Sequence, residues 1–142
     1  MRIAKSFELS IGHRLSDYSG KCRHLHGHNY VGEVIIEGSV DDLDHHGMLM
    51  DFGDLKKLIQ DTLYFRFDHK MLLKEGDPFN IDLAKVCKLW GDDSIVWVPY
   101  NPTVENIVED MRQTLQAGFI GTQEDLVVYI KMYETSTSYA EV

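Results

Sequence analysis

His26-Gly27-His28-Asn29-Tyr30-Val31-Gly32-Glu33-Val34-Ile35-Ile36-Glu37 is the stretch from which the architecture of this chain can be read. In an extended strand successive side chains point to opposite faces, so His26, His28, Tyr30, Val34 and Ile36 share one face. Two of these are imidazoles, set roughly 7 Å apart along the strand. The same alternation runs through residues 2–13, where Ile3, Phe7, Leu9, Ile11 and His13 fall on odd positions. A third imidazole therefore ends that run. Joined by the polar loop Ser16-Asp17-Tyr18-Ser19-Gly20-Lys21, the two segments read as an antiparallel pair with His13 near the end of one strand and His26 near the start of the next. This pairing would gather three imidazoles at one place.

Downstream, Asp41-Asp42-Leu43-Asp44-His45-His46-Gly47 is a polar turn, and Asp51 is placed to cap a helix with apolar positions Phe52, Leu55, Leu58, Ile59 and Leu63. From Glu75 to Pro102 the pattern weakens to a short helix around Asp82 to Leu89 and a short strand Ile95 to Val98. Thr103 then suits the N-cap of a helix with Val104, Ile107, Val108, Met111 and Leu115 inward, stopped at Gly118. Leu126 to Thr135 is a strand, and Ser138 to Val142 adds a short one. This order predicts an α+β fold in one domain over residues 1–142, two helices being layered on one face of an antiparallel sheet. In the last long strand, the row Leu126, Val128, Ile130 and Met132 ends in Glu134. The opposite row, Val127, Tyr129, Lys131 and Tyr133, is also substantially apolar, which predicts burial against another subunit.

With 142 residues, 44% of them hydrophobic and 26% charged, the chain has the composition of an ordinary globular domain. A net charge of −9 argues against a nucleic-acid surface, and no apolar run is long enough to span a membrane. The N-terminus leads into an alternating strand rather than a signal-peptide core, so a cytoplasmic location is expected, with Cys22 and Cys87 reduced and unpaired. An anionic ligand would need a locally positive site, for which Arg14, Lys21, Arg23 and Lys70 are available.

Three histidines leaving a fourth position open are the arrangement of a catalytic zinc, whereas the bland alternative makes them interior residues satisfied by hydrogen bonds. Cys22, four residues before His26, has two readings. Beside imidazoles and a metal its thiolate becomes a base or nucleophile; as a fourth metal ligand it would close the site. Cys87, with Leu83, Val86 and Leu89, reads as core packing. Asp68-His69 is a pair in which the acid can orient the imidazole for proton transfer, although such dipeptides are also common in helix-end turns. His45 and His46 read as surface residues. Glu105 needs no explanation beyond the helix dipole, but Glu134, finishing an apolar strand, must be paired, and a ligand with a guanidine-like N–H edge would suit it.

Taken together, Phe7 to Leu15 ending in His-Arg-Leu, Cys-x-x-x-His-Gly-His-x-Tyr over 22–30, Met50-Asp51-Phe52-x-x-Leu-Lys, Asp68-His69-x-x-Leu, Pro102-Thr103-x-Glu105-Asn106 and Glu134-Thr135 resemble the 6-pyruvoyltetrahydropterin and 6-carboxytetrahydropterin synthase family. The resemblance implies a tunnelling fold whose sheets close a barrel across three subunits, two trimers forming a homohexamer. It implies Zn²⁺ on His13, His26 and His28, Cys22 as proton-abstracting base, Asp68 and His69 as its relay, and Glu134, with Thr103 and Glu105, holding the pterin. The implied substrate is 7,8-dihydroneopterin triphosphate. The three-residue gap between Cys22 and His26 resembles the carboxy-forming branch, which releases acetaldehyde and triphosphate and feeds 7-deazaguanine and queuosine synthesis. Triphosphate elimination alone, giving the pyruvoyl pterin, is the alternative, as is a non-catalytic zinc- or pterin-binding module.

Overall fold

The computed structural model describes residues 1–88, 93–119 and 125–142. Six strands form one sheet in the order β4-β3-β1-β2-β5-β6: β1 (Arg2–His13), β2 (His26–Glu37), β3 (Lys70–Lys74), β4 (Ile95–Val98), β5 (Val127–Thr135) and β6 (Ser138–Glu141). β1 and β2 are antiparallel over their whole length, in a register that sets Leu9 opposite Tyr30, Ile11 opposite His28 and His13 opposite His26. Directly opposed residues face the same way, so the apolar row of one strand meets that of the other and both rows end in imidazoles.

The α+β class holds, with one correction: the sheet is mixed, because β3 runs parallel to β1 and β4 parallel to β3. Strand β3 has no counterpart in the alternation reading. Its core, Met71-Leu72-Leu73, is an unbroken apolar run, the pattern of a strand covered on both faces, and a helical connection of the kind parallel neighbours need follows it toward β4.

Helix α1 (Phe52–Ile59) starts where expected, the Asp51 carboxylate accepting the Gly53 N–H at 2.6 Å. It continues through a widened turn, Gln60–Tyr64, into α2 (Phe65–Phe67). Leu55, Ile59, Leu63 and Phe67 are all buried at steps of four. An ideal helix would rotate such a row by about 40° per step, and the widened turn takes up that drift. Helix α3 (Pro78–Lys88) begins earlier than its apolar pattern suggests, since Asp77 accepts the Phe79 N–H and Pro78 is pre-set for a first helical position. Its buried residues are Asn80 and Ala84, whereas Cys87 is half-buried and Val86 exposed. The core role expected for Cys87 is thus corrected; Leu89 lies outside the described residues. Helix α4 (Val104–Ala117) is capped by Thr103 and ends at Gly118, with Ile107, Val108, Met111 and Leu115 inward.

The core sits between one sheet face, carrying Leu9, Ile11, Tyr30, Val34, Ile36, Ile130 and Met132, and the inward rows of α1, α2 and α4. On the other face Val127 is exposed and Tyr129, Lys131 and Tyr133 are half-buried. Among the described residues no helix is long and apolar enough to cross a membrane.

Candidate functional site

The β1–β2 register brings His13, His26 and His28 to one end of the core-facing sheet surface, each offering a ring nitrogen within 4.8 Å of the others. His13 is buried, and its Nδ1 lies 2.6 Å from the carbonyl oxygen of Pro102. A carbonyl only accepts, so Nδ1 carries the proton and Nε2 presents its lone pair to the cluster. His26 is oriented in the same way by the carbonyl of its own neighbour His24, 2.8 Å from its Nδ1. Burial lowers the pKa of His13, although the Pro102 bond opposes that shift; its imidazole is kept neutral. Nε2 of His13 is a fully buried polar atom with no hydrogen-bond partner among the described residues. Three converging ring nitrogens, two of them on carbonyl-oriented rings and one otherwise orphaned, suit a borderline divalent ion such as Zn²⁺.

Glu134 stands beside the cluster, its Oε1 being 3.7 Å from Nε2 of both His13 and His28. It also accepts a hydrogen bond from the hydroxyl of the fully buried Tyr30 at 3.1 Å. Burial, reinforced by the Glu134 carboxylate and by nearby Cys22, pushes the Tyr30 hydroxyl well above the usual phenol range, which keeps it a neutral donor. Cys22 is half-buried in a tight turn, Lys21–Arg23, and its carbonyl accepts the Leu15 N–H at 2.8 Å. That bond closes the β1–β2 loop and sets the thiol at the same end of the sheet as the imidazoles.

The start of α4 borders the centre through the Pro102 carbonyl. Next in sequence, Thr103 accepts the Asn106 N–H at 3.4 Å, and Glu105 is exposed in the first helical turn.

Asp68 and His69 are placed differently. Asp68 Oδ1 accepts the Ser10 N–H at 3.0 Å, and His69, at φ 56°, donates its N–H to the Ser10 carbonyl at 2.8 Å. Asp68 Oδ2 is 2.9 Å from Nδ1 of His69, whose side chain is 80% exposed. His69 lines a cavity of about 560 Å³ whose lining includes Ser10, Gly12, Gly27, Asn29 and Met71. Those β1 and β2 positions alternate with the core-facing ones, so the dyad opens on the other side of the sheet. Among the described residues no hydrogen bond or ion pair joins Asp68 or His69 to Cys22.

Two features escaped the sequence reading. Tyr30 was placed on the imidazole face by alternation alone, and its link to Glu134 depends on the pairing of β2 with β5. Arg14, Ser16, Asp77, Asn80 and Asn101 form a polar network beneath the β1–β2 loop. There Arg14 Nη1 donates to Asp77 and to Asn80, both at 2.6 Å, while Asn101 and Ser16 exchange two further bonds. No local pattern in the Glu75 to Pro102 connection foretells it.

Comparison with known proteins adds three findings. The family model described as 6-pyruvoyl tetrahydropterin synthase matches residues 2–142. A relative from Rickettsia bellii named 6-carboxy-5,6,7,8-tetrahydropterin synthase is 30% identical over 142 residues, covering 100% of this chain and 99% of its own. One of the same name from Aquifex aeolicus is 32% identical over 159 aligned positions, covering 98% and 95%. Among solved structures, an uncharacterized protein from Wolinella succinogenes superposes with a TM-score of 0.80 at 24% identity over 100% of this chain and 97% of its own. The 6-pyruvoyl tetrahydropterin synthase of Caenorhabditis elegans does so at 0.67 and 23%, over 100% and 94%. These superpositions support the fold.

Proposed function

The chain belongs to the 6-pyruvoyl tetrahydropterin synthase family, and from that premise we propose that it is a zinc-dependent 6-carboxytetrahydropterin synthase. It takes 7,8-dihydroneopterin triphosphate and one water to 6-carboxytetrahydropterin, acetaldehyde and triphosphate, a step toward 7-deazaguanines such as queuosine. The observation that carries this reading is the convergence of the buried His13 with the half-buried His26 and His28, near Glu134 and Cys22. Full-length relatives named for the carboxy product favour that branch over pyruvoyl formation.

When bound by His13, His26 and His28, Zn²⁺ supplies Lewis acidity toward substrate oxygens on the pterin side chain. Cys22, at the rim of the cluster, removes a carbon-bound proton from that side chain. Glu134, oriented by Tyr30, accepts from the guanidine-like N–H edge of the pterin, with Thr103 and Glu105 at the head of α4 completing its seat. Asp68 holds the His69 ring for proton relay. Because this dyad opens on the far side of the sheet from its own Cys22, it serves the Cys22 of a neighbouring copy, in keeping with the trimeric barrels of a homohexamer.

Mass analysis of the products from zinc-loaded protein and 7,8-dihydroneopterin triphosphate tests the reading. The expected result is 6-carboxytetrahydropterin with stoichiometric acetaldehyde. The pyruvoyl pterin without acetaldehyde would move the assignment to the other branch, and unaltered substrate would overturn it.

A further inference from the structure

The β1–β2 loop walls a second cavity, of about 650 Å³, whose lining includes Arg14, Asp17, Ser19, Arg23, His24 and Phe79. Its wall is continuous in sequence with the metal centre. Arg14 follows His13, Arg23 follows Cys22, and the carbonyl of His24 orients the His26 ring. Nothing in the proposed chemistry of the three histidines accounts for it.

The charge at this wall runs against that of the chain. In a protein of net charge −9, Arg14, Arg23 and His24 line one cavity, opposed by Asp17 in the wall and by Asp77, which pairs with Arg14. The guanidinium of Arg14 is fixed in place. Its Nη1 donates to Asp77 and Asn80, its Nε donates to the Arg23 carbonyl at 3.1 Å, and its Cζ lies over the Phe79 ring, 4.6 Å from the centroid. These bonds engage both Nε and Nη1, and only Nη2, with its two N–H groups, makes none among the described residues. Asp77 is itself held ionised at about 2: burial opposes this, but the hydrogen bonds from Ser16, Arg14 and the Phe79 N–H outweigh it. Beside this fixed group the Arg23 side chain has no ion-pair or hydrogen-bond partner among the described residues. A guanidinium pre-ordered by carboxylate, amide and ring, with Nη2 left to donate and a second cation next to it, suits an anion with several oxygens.

We propose that this cavity is an oligophosphate subsite, in which Arg14 and Arg23 grip the phosphate tail of a substrate whose other end sits at the three-histidine centre. The proposal rests on the pterin triphosphate reading for its ligand class and on the cavity's geometry for its place. Arg14 supplies the fixed Nη2 donor and Arg23 the adaptable charge. Asp17 opposes anion binding and so weakens retention of the triphosphate released by the reaction.

Calorimetric titration of the full chain with inorganic triphosphate tests the subsite, metal content being measured before and after. We expect saturable binding, about tenfold weaker in Arg23→Ala and severalfold tighter in Asp17→Asn. Arg14→Lys, which keeps the charge and removes the planar group that fixes Nη2, is expected to weaken binding as well, its melting curve reporting whether the fold survives. In turnover, Arg23→Ala should raise KM for the pterin triphosphate more than it lowers kcat. Unchanged triphosphate affinity in both Arg23→Ala and Asp17→Asn, as chelation at the histidines would give, overturns the subsite even if turnover is seen. The expected binding pattern without any turnover keeps the subsite and overturns the pterin reading.

Discussion

Tyr30 and Glu134, 104 residues apart in sequence, meet through a 3.1 Å hydrogen bond from phenol to carboxylate. Val31 pairs with Tyr133, and one step further the same register sets Tyr30 beside Glu134 on the core-facing side. The carboxylate that ends the apolar row of β5 is thereby held toward Nε2 of His13 and His28, its cost of burial offset by a neutral phenol donor.

Replacing Tyr30 by Phe removes that donor while nearly preserving volume. A hydrogen bond to a charged acceptor contributes about 1.5–3 kcal/mol, so the variant is expected to fold with a lower Tm and to bind the pterin about tenfold more weakly. Glu134→Gln should lose pterin binding at least as severely and still bind zinc. Wild-type KM in both variants would overturn the anchoring role; binding titrations and metal analysis measure the two effects separately.

Metal binding should be tied to stability, because His13 Nε2 is buried with no hydrogen-bond partner among the described residues. Zinc at a hundredfold excess over its dissociation constant stabilises by roughly 2.7 kcal/mol, so a chelator should lower Tm and added zinc restore it. His13→Ala is expected to abolish both the shift and the bound zinc, whereas Cys22→Ala should keep both and lose turnover. Zinc loss in Cys22→Ala would instead make the thiol a ligand, the second reading its sequence position allows.

Much of the fold was legible because alternation is a local property. The odd row of β1 and the even row of β2 fixed which faces turn inward, and the loop between them brought His13 to His26. Thr103 and Asp51 announced helix starts through the chemistry of capping. What was not legible depended on contacts between distant segments. The parallel strand β3 has no alternation to read, and the Arg14–Asp77–Asn80 network joins a loop to a helix more than sixty residues away. The separation of Asp68 and His69 from Cys22 was equally hidden, since sequence order carries no information about which side of the sheet a turn opens on.

That separation makes a complementation test decisive. Cys22→Ala and His69→Ala chains should each be inactive, yet if each site takes its thiol from one copy and its dyad from another, co-assembled mixtures contain intact sites. In an equimolar random assembly about a quarter of the sites are intact, so roughly that fraction of wild-type activity is expected after unfolding and refolding the two together. Activity staying at the level of the separate variants, with mixed oligomers demonstrated, would place thiol and dyad in one chain's site.

The Arg14–Asp77 pair gives an acid-stability signature. Both side chains are largely buried, 12% and 14% exposed, and the folded-state pKa of Asp77 is lowered to about 2. A carboxylate whose pKa falls on folding adds stability that is fully present above its ordinary value near 3.8 and is lost as pH falls through about 2. Asp77→Asn leaves Arg14 without its counter-charge and should cost roughly 2 kcal/mol or more at neutral pH. The wild-type advantage should shrink as pH falls from 4 toward about 2, where the protonated acid offers Arg14 no more than the amide does. Denaturant titrations of both proteins across this range measure it, and a gap independent of pH would mean that Asp77 acts through packing rather than charge.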